Sequence, residues 1–252
     1  MSLAVDPAEV SRLEELAFRG WPALESRDIA GWRLRFADGY TKRANSINAL
    51  RPDAATDWAT IQELEAVYRA RRQPPIWRLS PLAPPAIADV LAAPFYRTIE
   101  RSLVQACPLR RSFAIEPDVE IHPQPTPAWI EAFSAHSPVQ PQHRDAMRRL
   151  LAAIVPPVGF ALVQAEGRPP AMAIGVVQGD HMGLFEVLMM LHARRRGLAR
   201  RVTESLYPWA WRQGARFAYL QVVATNQAAM ALYAAQGFRT AYEYEYRVPS
   251  SP

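Results

Sequence analysis

The sequence predicts a mixed α/β (α+β) chain built from two copies of one βαβαβ-type unit, and three observations carry that expectation. Residues 184–238 alternate apolar strands with helical segments: LFEVLMM, the arginine-rich LHARRRGLARR, an amphipathic segment to Gly214, ARFAYLQVV and NQAAMALYAAQGF. The same plan recurs 142 residues earlier, in weaker form. Between the copies, Pro117, Pro123, Pro125 and Pro127 crowd into eleven positions and mark a boundary. The expected domains are 1–116 and 117–252.

In the first half, Val10, Leu13, Leu16 and Ala17 recur at helical spacing, which predicts a helix over 6–19. GWRLRF, 31–36, alternates as a strand does. Asp38-Gly39 reads as a hairpin turn and 40–48 as the returning strand. Residues 58–71 form a second amphipathic pattern, with Asp57 placed to cap it. A short strand at 76–79, a helix at 84–92 and a long strand at 96–105 complete this half.

In the second half, Val119-Glu120-Ile121 is confined to a sheet edge by its prolines. Helices are expected at 128–136 and 142–154, then strands at 159–164, 171–178 and 182–190, with Gly-containing breaks between the strands. The offset carries 40–48 onto 182–190, 58–71 onto 200–213, 76–79 onto 218–221 and 96–98 onto 238–240. At the last of these the residues themselves agree: Tyr96-Arg97-Thr98 against Phe238-Arg239-Thr240.

Arg194, Arg195, Arg196 and Gly197 lead directly into a helix, with no carboxylate among them. A helix N-terminus offers unpaired N–H groups and a partial positive charge, so this loop suits a pyrophosphate. Arg194-x-x-Gly197-x-Ala199 is similar to the (Gln/Arg)-x-x-Gly-x-(Gly/Ala) signature of the GNAT superfamily of acyl-CoA N-acyltransferases. Asn226-x-x-Ala229-x-x-Leu232-Tyr233, followed by Gly237-Phe238, resembles the second signature of that superfamily. One departure is Arg195, where many members have glycine. In the first half the phosphate loop corresponds to Pro52, Asp53, Ala54 and Ala55, where an aspartate and a proline replace positive charge and a free N–H. That half is expected to have lost the cofactor.

The resemblance implies two tandem GNAT-like folds, each a mixed, mainly antiparallel sheet flanked by helices, with a splayed parallel strand pair in the C-terminal half. It implies acetyl-CoA as co-substrate. Main-chain groups of Leu188, Met189, Met190 and Leu191 would hold the pantetheine and polarise the thioester, and Arg194, Arg195, Arg196, Gly197, Leu198, Ala199 and Arg200 would hold the pyrophosphate. Tyr233 matches the general acid toward the leaving sulfur, against the alternative of a core aromatic. Asn226 either contacts the cofactor or caps its helix. Glu186, the only carboxylate within the strand, is either a base whose pKa burial would raise or a structural partner of an arginine. Glu243 and Glu245 alternate with Tyr242, Tyr244 and Tyr246 on the last strand, and either set could line an acceptor pocket or simply build the strand.

Composition narrows the rest. The formal charge of +5 is almost all arginine, since Lys42 is the only lysine, and the arginines do not form an aromatic-interleaved stripe; no nucleic-acid partner is expected. No apolar run reaches membrane-spanning length, and the N-terminus lacks a basic region followed by an apolar core, so no membrane partner and a cytoplasmic location are expected. Cys107 stands alone and the histidines have no metal-ligand spacing, so no metal is expected. The expected activity is acetyl transfer to the primary amine of a small molecule or peptide by direct attack, and the rival is a non-catalytic acyl-CoA-binding module. A homodimer is compatible with this, although the tandem halves can substitute for one.

Overall fold

The computed structural model describes residues 6–109, 114–137, 140–155, 157–164, 169–193 and 195–250. The chain forms two compact units that do not follow chain order. One comprises Met1–Gln105, Val222–Met230 and Thr240–Pro252, the other Ala106–Gln221 and Ala231–Arg239.

The first unit opens with α1 (Pro7–Gly20), whose N-terminus is capped by the Asp6 carboxylate accepting from the Ala8 N–H at 3.0 Å. Three strands follow, β1 (Glu25–Ile29), β2 (Trp32–Phe36) and β3 (Ile47–Ala49), and then α2 (Trp58–Ala70), capped by Asp57 as expected. The short β4 (Trp77–Leu79) and α3 (Ile87–Val90) lead to the long β5 (Tyr96–Pro108). Strands β1, β2 and β3 pair antiparallel, and β3 pairs parallel with β4.

Three local expectations are corrected here. β1 is a fifth strand of this half with no apolar alternation, because ESRDI lies at the sheet edge and is mostly exposed. The turn expected at Asp38-Gly39 is present, both residues at positive φ with the Tyr40 N–H bonded to the Ala37 carbonyl at 2.8 Å, and a further turn at Ala30 and Gly31 joins β1 to β2, with Ile29 opposite Trp32. The strand expected over 40–48 is extended only from Ile47, since the buried Asn45 folds the preceding segment on itself. Its amide accepts from the N–H groups of Ala37 (2.8 Å) and Gly39 (3.0 Å) and donates to the carbonyls of Tyr40 (2.7 Å) and Thr41 (2.8 Å). The helix expected over 84–92 shrinks to α3.

The second unit contains β6 (Val119–His122), α4 (Pro127–His136), α5 (Arg144–Ala152), β7 (Val158–Val163), β8 (Ala171–Gln178) and β9 (His181–Met189). After them come α6 (Leu198–Arg212), β10 (Phe217–Val223), α7 (Gln227–Ala235) and β11 (Arg239–Pro249). Strands β6, β7, β8 and β9 pair antiparallel in sequence order, with the proline-flanked β6 at the edge, and β9 pairs parallel with β10. Three successive antiparallel strands (β1–β3 and β7–β9), a helix (α2 and α6) and a strand parallel to the last of the three (β4 and β10) thus occur in each half of the chain, in the same order. The core here is built on Trp129, stacked on Phe133 at 4.8 Å and edge-on to Phe160 at 5.3 Å.

Strand β11 joins the sheet of the first unit beside β4, with Tyr246 opposite Arg78. Its alternating tyrosines, Tyr242, Tyr244 and Tyr246, are all buried there and belong to that unit's core. Glu245 pairs with Arg247 at 2.6 Å and Arg101 at 3.4 Å. Beneath them Arg78 is buried against the Glu14 carboxylate, which also accepts from the Tyr242 hydroxyl at 2.5 Å.

Candidate active site

The centre of the site is the way β9 leaves β10. The two strands pair over four residues, from His181 opposite Phe217 to Leu184 opposite Leu220. Beyond that they part, although β9 runs on to Met189 and β10 to Val223. On its other side β9 stays bonded to β8, but with one extra residue: Ile174 faces Phe185 and Met172 faces Leu188. Glu186 takes up the extra residue at a φ of 47°, a left-handed conformation inside a strand. The bulge turns the strand and half-exposes residues 186–189, which lie beyond the last pair with β10. Glu186 was expected to lie buried in an apolar strand; the bulge leaves it half-buried instead.

Leu191 follows in a short turn, 75% exposed, with the Ala193 N–H returning to the Met190 carbonyl at 3.0 Å. Arg194 lies outside the described residues. Arg195 has a φ of 60°, a conformation glycine adopts without penalty, which accounts physically for the substitution noted in the sequence. Gly197, at φ 74°, stands at the N-cap of α6, and no side chain caps the helix. A Cβ at Gly197 would meet nothing within 4 Å, so glycine is required there by the backbone angle rather than by crowding. Leu198 and Ala199 are buried and root the helix, while Arg195 and Arg196 are exposed with no ion-pair partner among the described residues. Arg200 pairs with Glu204 at 2.8 Å, and Arg201 is held by Asp118, with Glu116 at 3.6 Å. The result is an uncapped helix N-terminus flanked by two uncommitted guanidinium groups, an arrangement suited to a pyrophosphate.

Tyr233, on α7, is 6% exposed and packs edge-on against Phe238 at 5.8 Å. Burial, and then the nearby Glu186 charge, push its phenol up to about 12. Those two residues, expected to be acid and base, are therefore brought into electrostatic reach of each other. Asn226 is a cap: its Oδ1 accepts from the Ala229 N–H at 3.1 Å.

Sequence reasoning missed the bulge itself, because nothing in LFEVLMM signals a left-handed glutamate. It also missed a polar bridge between α6 and the end of α7, in which Gln236 links Tyr207 and Thr203. Among the described residues no group of three or more His, Cys, Asp and Glu could hold a metal, and no helix is long and apolar enough to cross a membrane.

Comparison with known proteins gives the same direction. A family model described as "Probable histone acetyltransferase Rv0428c C-terminal" matches residues 7–247. The uncharacterized N-acetyltransferase YobR of Bacillus subtilis (strain 168) is 26% identical over 246 residues, covering 95% of this chain and 98% of that protein. Among solved structures, a GCN5-related N-acetyltransferase from Kribbella flavida is 17% identical with a TM-score of 0.68, covering 96% of each chain. A tandem GNAT protein from the clavulanic acid biosynthesis pathway is 13% identical with a TM-score of 0.64, covering 99% of this chain and 90% of that one. At such identities the solved structures show the fold, whereas the family match spans nearly the whole chain. The chain belongs to the Rv0428c C-terminal family of probable histone acetyltransferases, within the GNAT superfamily of N-acetyltransferases.

Proposed function

We propose that the chain transfers the acetyl group of acetyl-CoA to a primary amine of a small molecule or peptide, by direct attack and with no covalent enzyme intermediate. The observation that carries this reading is the parting of β9 from β10 beside the uncapped N-terminus of α6, with Tyr233 in electrostatic reach of the bulge. Bound acetyl-CoA would supply an activated thioester. The main chain of Leu188, Met189, Met190 and Leu191 would align the pantetheine and donate to the thioester carbonyl. A donor so placed is worth ~3 kcal/mol in a transition state. The N–H groups following Gly197, with Arg195, Arg196 and Arg200, would hold the phosphates, joined by Arg194. Glu186 would accept the ammonium proton of the arriving amine. Tyr233, protonated far beyond neutral pH, would donate to the departing sulfur.

In this reading 1–116 and 117–252 are two copies of one unit, and only the second binds cofactor. The first unit's counterpart of the phosphate loop is closed on itself, which supports that division. The Ala55 N–H bonds to the Ala30 carbonyl at 3.0 Å and the Ala54 N–H to the Arg51 carbonyl at 3.3 Å, while Asp53 pairs with Arg51. Neither nucleic acid nor a membrane surface enters the reading. The family's name speaks of histones, so a lysine-bearing peptide belongs in the first panel of amines.

The test is calorimetric titration with coenzyme A, followed by acetyl transfer to small amines and lysine peptides. One site per chain and transfer to at least one amine are expected. Two sites would refute the degenerate first half, and binding without transfer to any amine would favour a sensing module.

A further inference from the structure

We infer that Gln236 is a positioning residue, which sets the Tyr233 hydroxyl against the cofactor by tying the end of α7 to the helix that binds the phosphates. The inference rests on the reading of Tyr233 as the acid. Its basis is a chain of hydrogen bonds between the two elements. The Tyr233 carbonyl accepts from the N–H groups of both Gln236 and Phe238, each at 3.0 Å, so 233–238 form one tight turn closed by Gly237 at a φ of 90°. From that turn the Gln236 side chain reaches α6 twice. Its Nε2 donates to the Thr203 hydroxyl at 2.7 Å, and its Oε1 accepts from the Tyr207 hydroxyl at 2.7 Å.

The orientation of the amide follows from Thr203. The single hydroxyl hydrogen of that residue is committed to the carbonyls of Ala199 (2.9 Å) and Arg200 (3.0 Å), in the first turn of α6. Its oxygen therefore needs a donor, which the amide NH2 supplies, leaving the amide oxygen for Tyr207. Thr203 and Tyr207 are buried, so an unmade bond there carries a desolvation cost that the bridge avoids. Burial also holds the Tyr207 phenol well above its ordinary range, so it stays a donor. The bridge thus connects the turn that closes on Tyr233 with the first turn of α6, the two places where the reaction's geometry is set. A displacement of about 1 Å in such a group can lower a rate about a hundredfold.

The experiment uses coenzyme A itself as the probe and needs no acceptor. The thiol pKa of enzyme-bound coenzyme A is measured from thiolate absorbance in difference spectra. A hydrogen bond from Tyr233 to the sulfur favours the thiolate, so Tyr233→Phe should raise this pKa by about one unit. Gln236→Met should raise it by a comparable amount with coenzyme A affinity within about twofold of the wild type. In the Tyr233→Phe background Gln236→Met should add nothing. Should Gln236→Met fail to fold, Tyr207→Phe removes one end of the bridge with a single hydroxyl and is read in the same way. A wild-type thiol pKa in the Gln236 variant, alongside a raised one in Tyr233→Phe, overturns the positioning role and leaves the acid intact. No rise in Tyr233→Phe overturns the acid and the positioning role together. Loss of coenzyme A binding in a folded Gln236→Met overturns the inference too, by assigning the bridge to the phosphate helix alone.

Discussion

Leu184 and Leu220 are the last residues of β9 and β10 to stand opposite each other, and Glu186 follows two positions later in a left-handed conformation. The parting of the strands and the bulge are one feature, because an extra residue on one edge bends the strand away from its other neighbour. Glu186→Gly should keep the bulge, with a stability equal to the wild type or up to ~1 kcal/mol higher. Glu186→Val puts a β-branched side chain at positive φ and should lose ~2 kcal/mol. Denaturant midpoints decide, and equal midpoints for the two would mean that the backbone at 186 does not shape the strand.

Glu186→Gln separates the side chain from the backbone. If the carboxylate accepts the amine's proton, the variant should be slow near neutral pH. It should approach wild-type turnover at high pH, where the amine arrives neutral unaided. A pH-independent ratio of the two rates would remove the base.

Gly197→Ala and Gly197→Asp share the strain of a positive φ, and each should destabilise the fold by ~1 kcal/mol. Only the aspartate sets a negative charge beside the phosphates. Calorimetry should find coenzyme A binding largely retained in the alanine variant and lost by tenfold or more in the aspartate variant, about 1.4 kcal/mol. Matching affinities in the two would argue against a phosphate site at α6.

Tyr233→Phe should lower kcat by ~10² while leaving coenzyme A affinity nearly unchanged. It also has a signature in stability against pH. The folded phenol is raised to about 12, whereas an unfolded tyrosine ionises near ~10. The folded chain therefore keeps this proton longer. The group's contribution is fully present below about pH 10 and is lost as pH climbs to about 12. Urea melts across that window should show a shallower alkaline decline for Tyr233→Phe, and an identical slope would contradict the raised phenol.

Glu14→Gln removes the charge that neutralises Arg78 inside the first unit. An uncompensated buried guanidinium should cost ~3 kcal/mol or more. Replacing Tyr242 by Phe should cost ~1 kcal/mol, since only a hydrogen bond to Glu14 is lost. Thermal denaturation of both variants checks the order, and a milder effect for Glu14→Gln than for Tyr242→Phe would contradict it.

What the sequence determined alone is the local grammar. The periodicities of α1, α2 and α6, the cap at Asp57, the edge position of β6 among its prolines and the glycine ahead of α6 all depend on residues within a few positions of one another. The family signatures are legible for the same reason, being confined to a loop with its helix and a helix with its turn. Only the tertiary structure decided where distant segments meet. Glu14, Arg78 and Tyr242 are separated by most of the chain and are joined by burial, since a carboxylate and a guanidinium leave water together or not at all. The tyrosines of β11 look equally apt for a pocket or a core until that strand is found beside β4. The left-handed backbone of Glu186 has no sequence signal, because it is imposed by the mismatch in length between β8 and β9 across their ladder. The Gln236 bridge arises in the same way, from packing that brings a glutamine at the end of one helix onto a threonine and a tyrosine one turn apart on another.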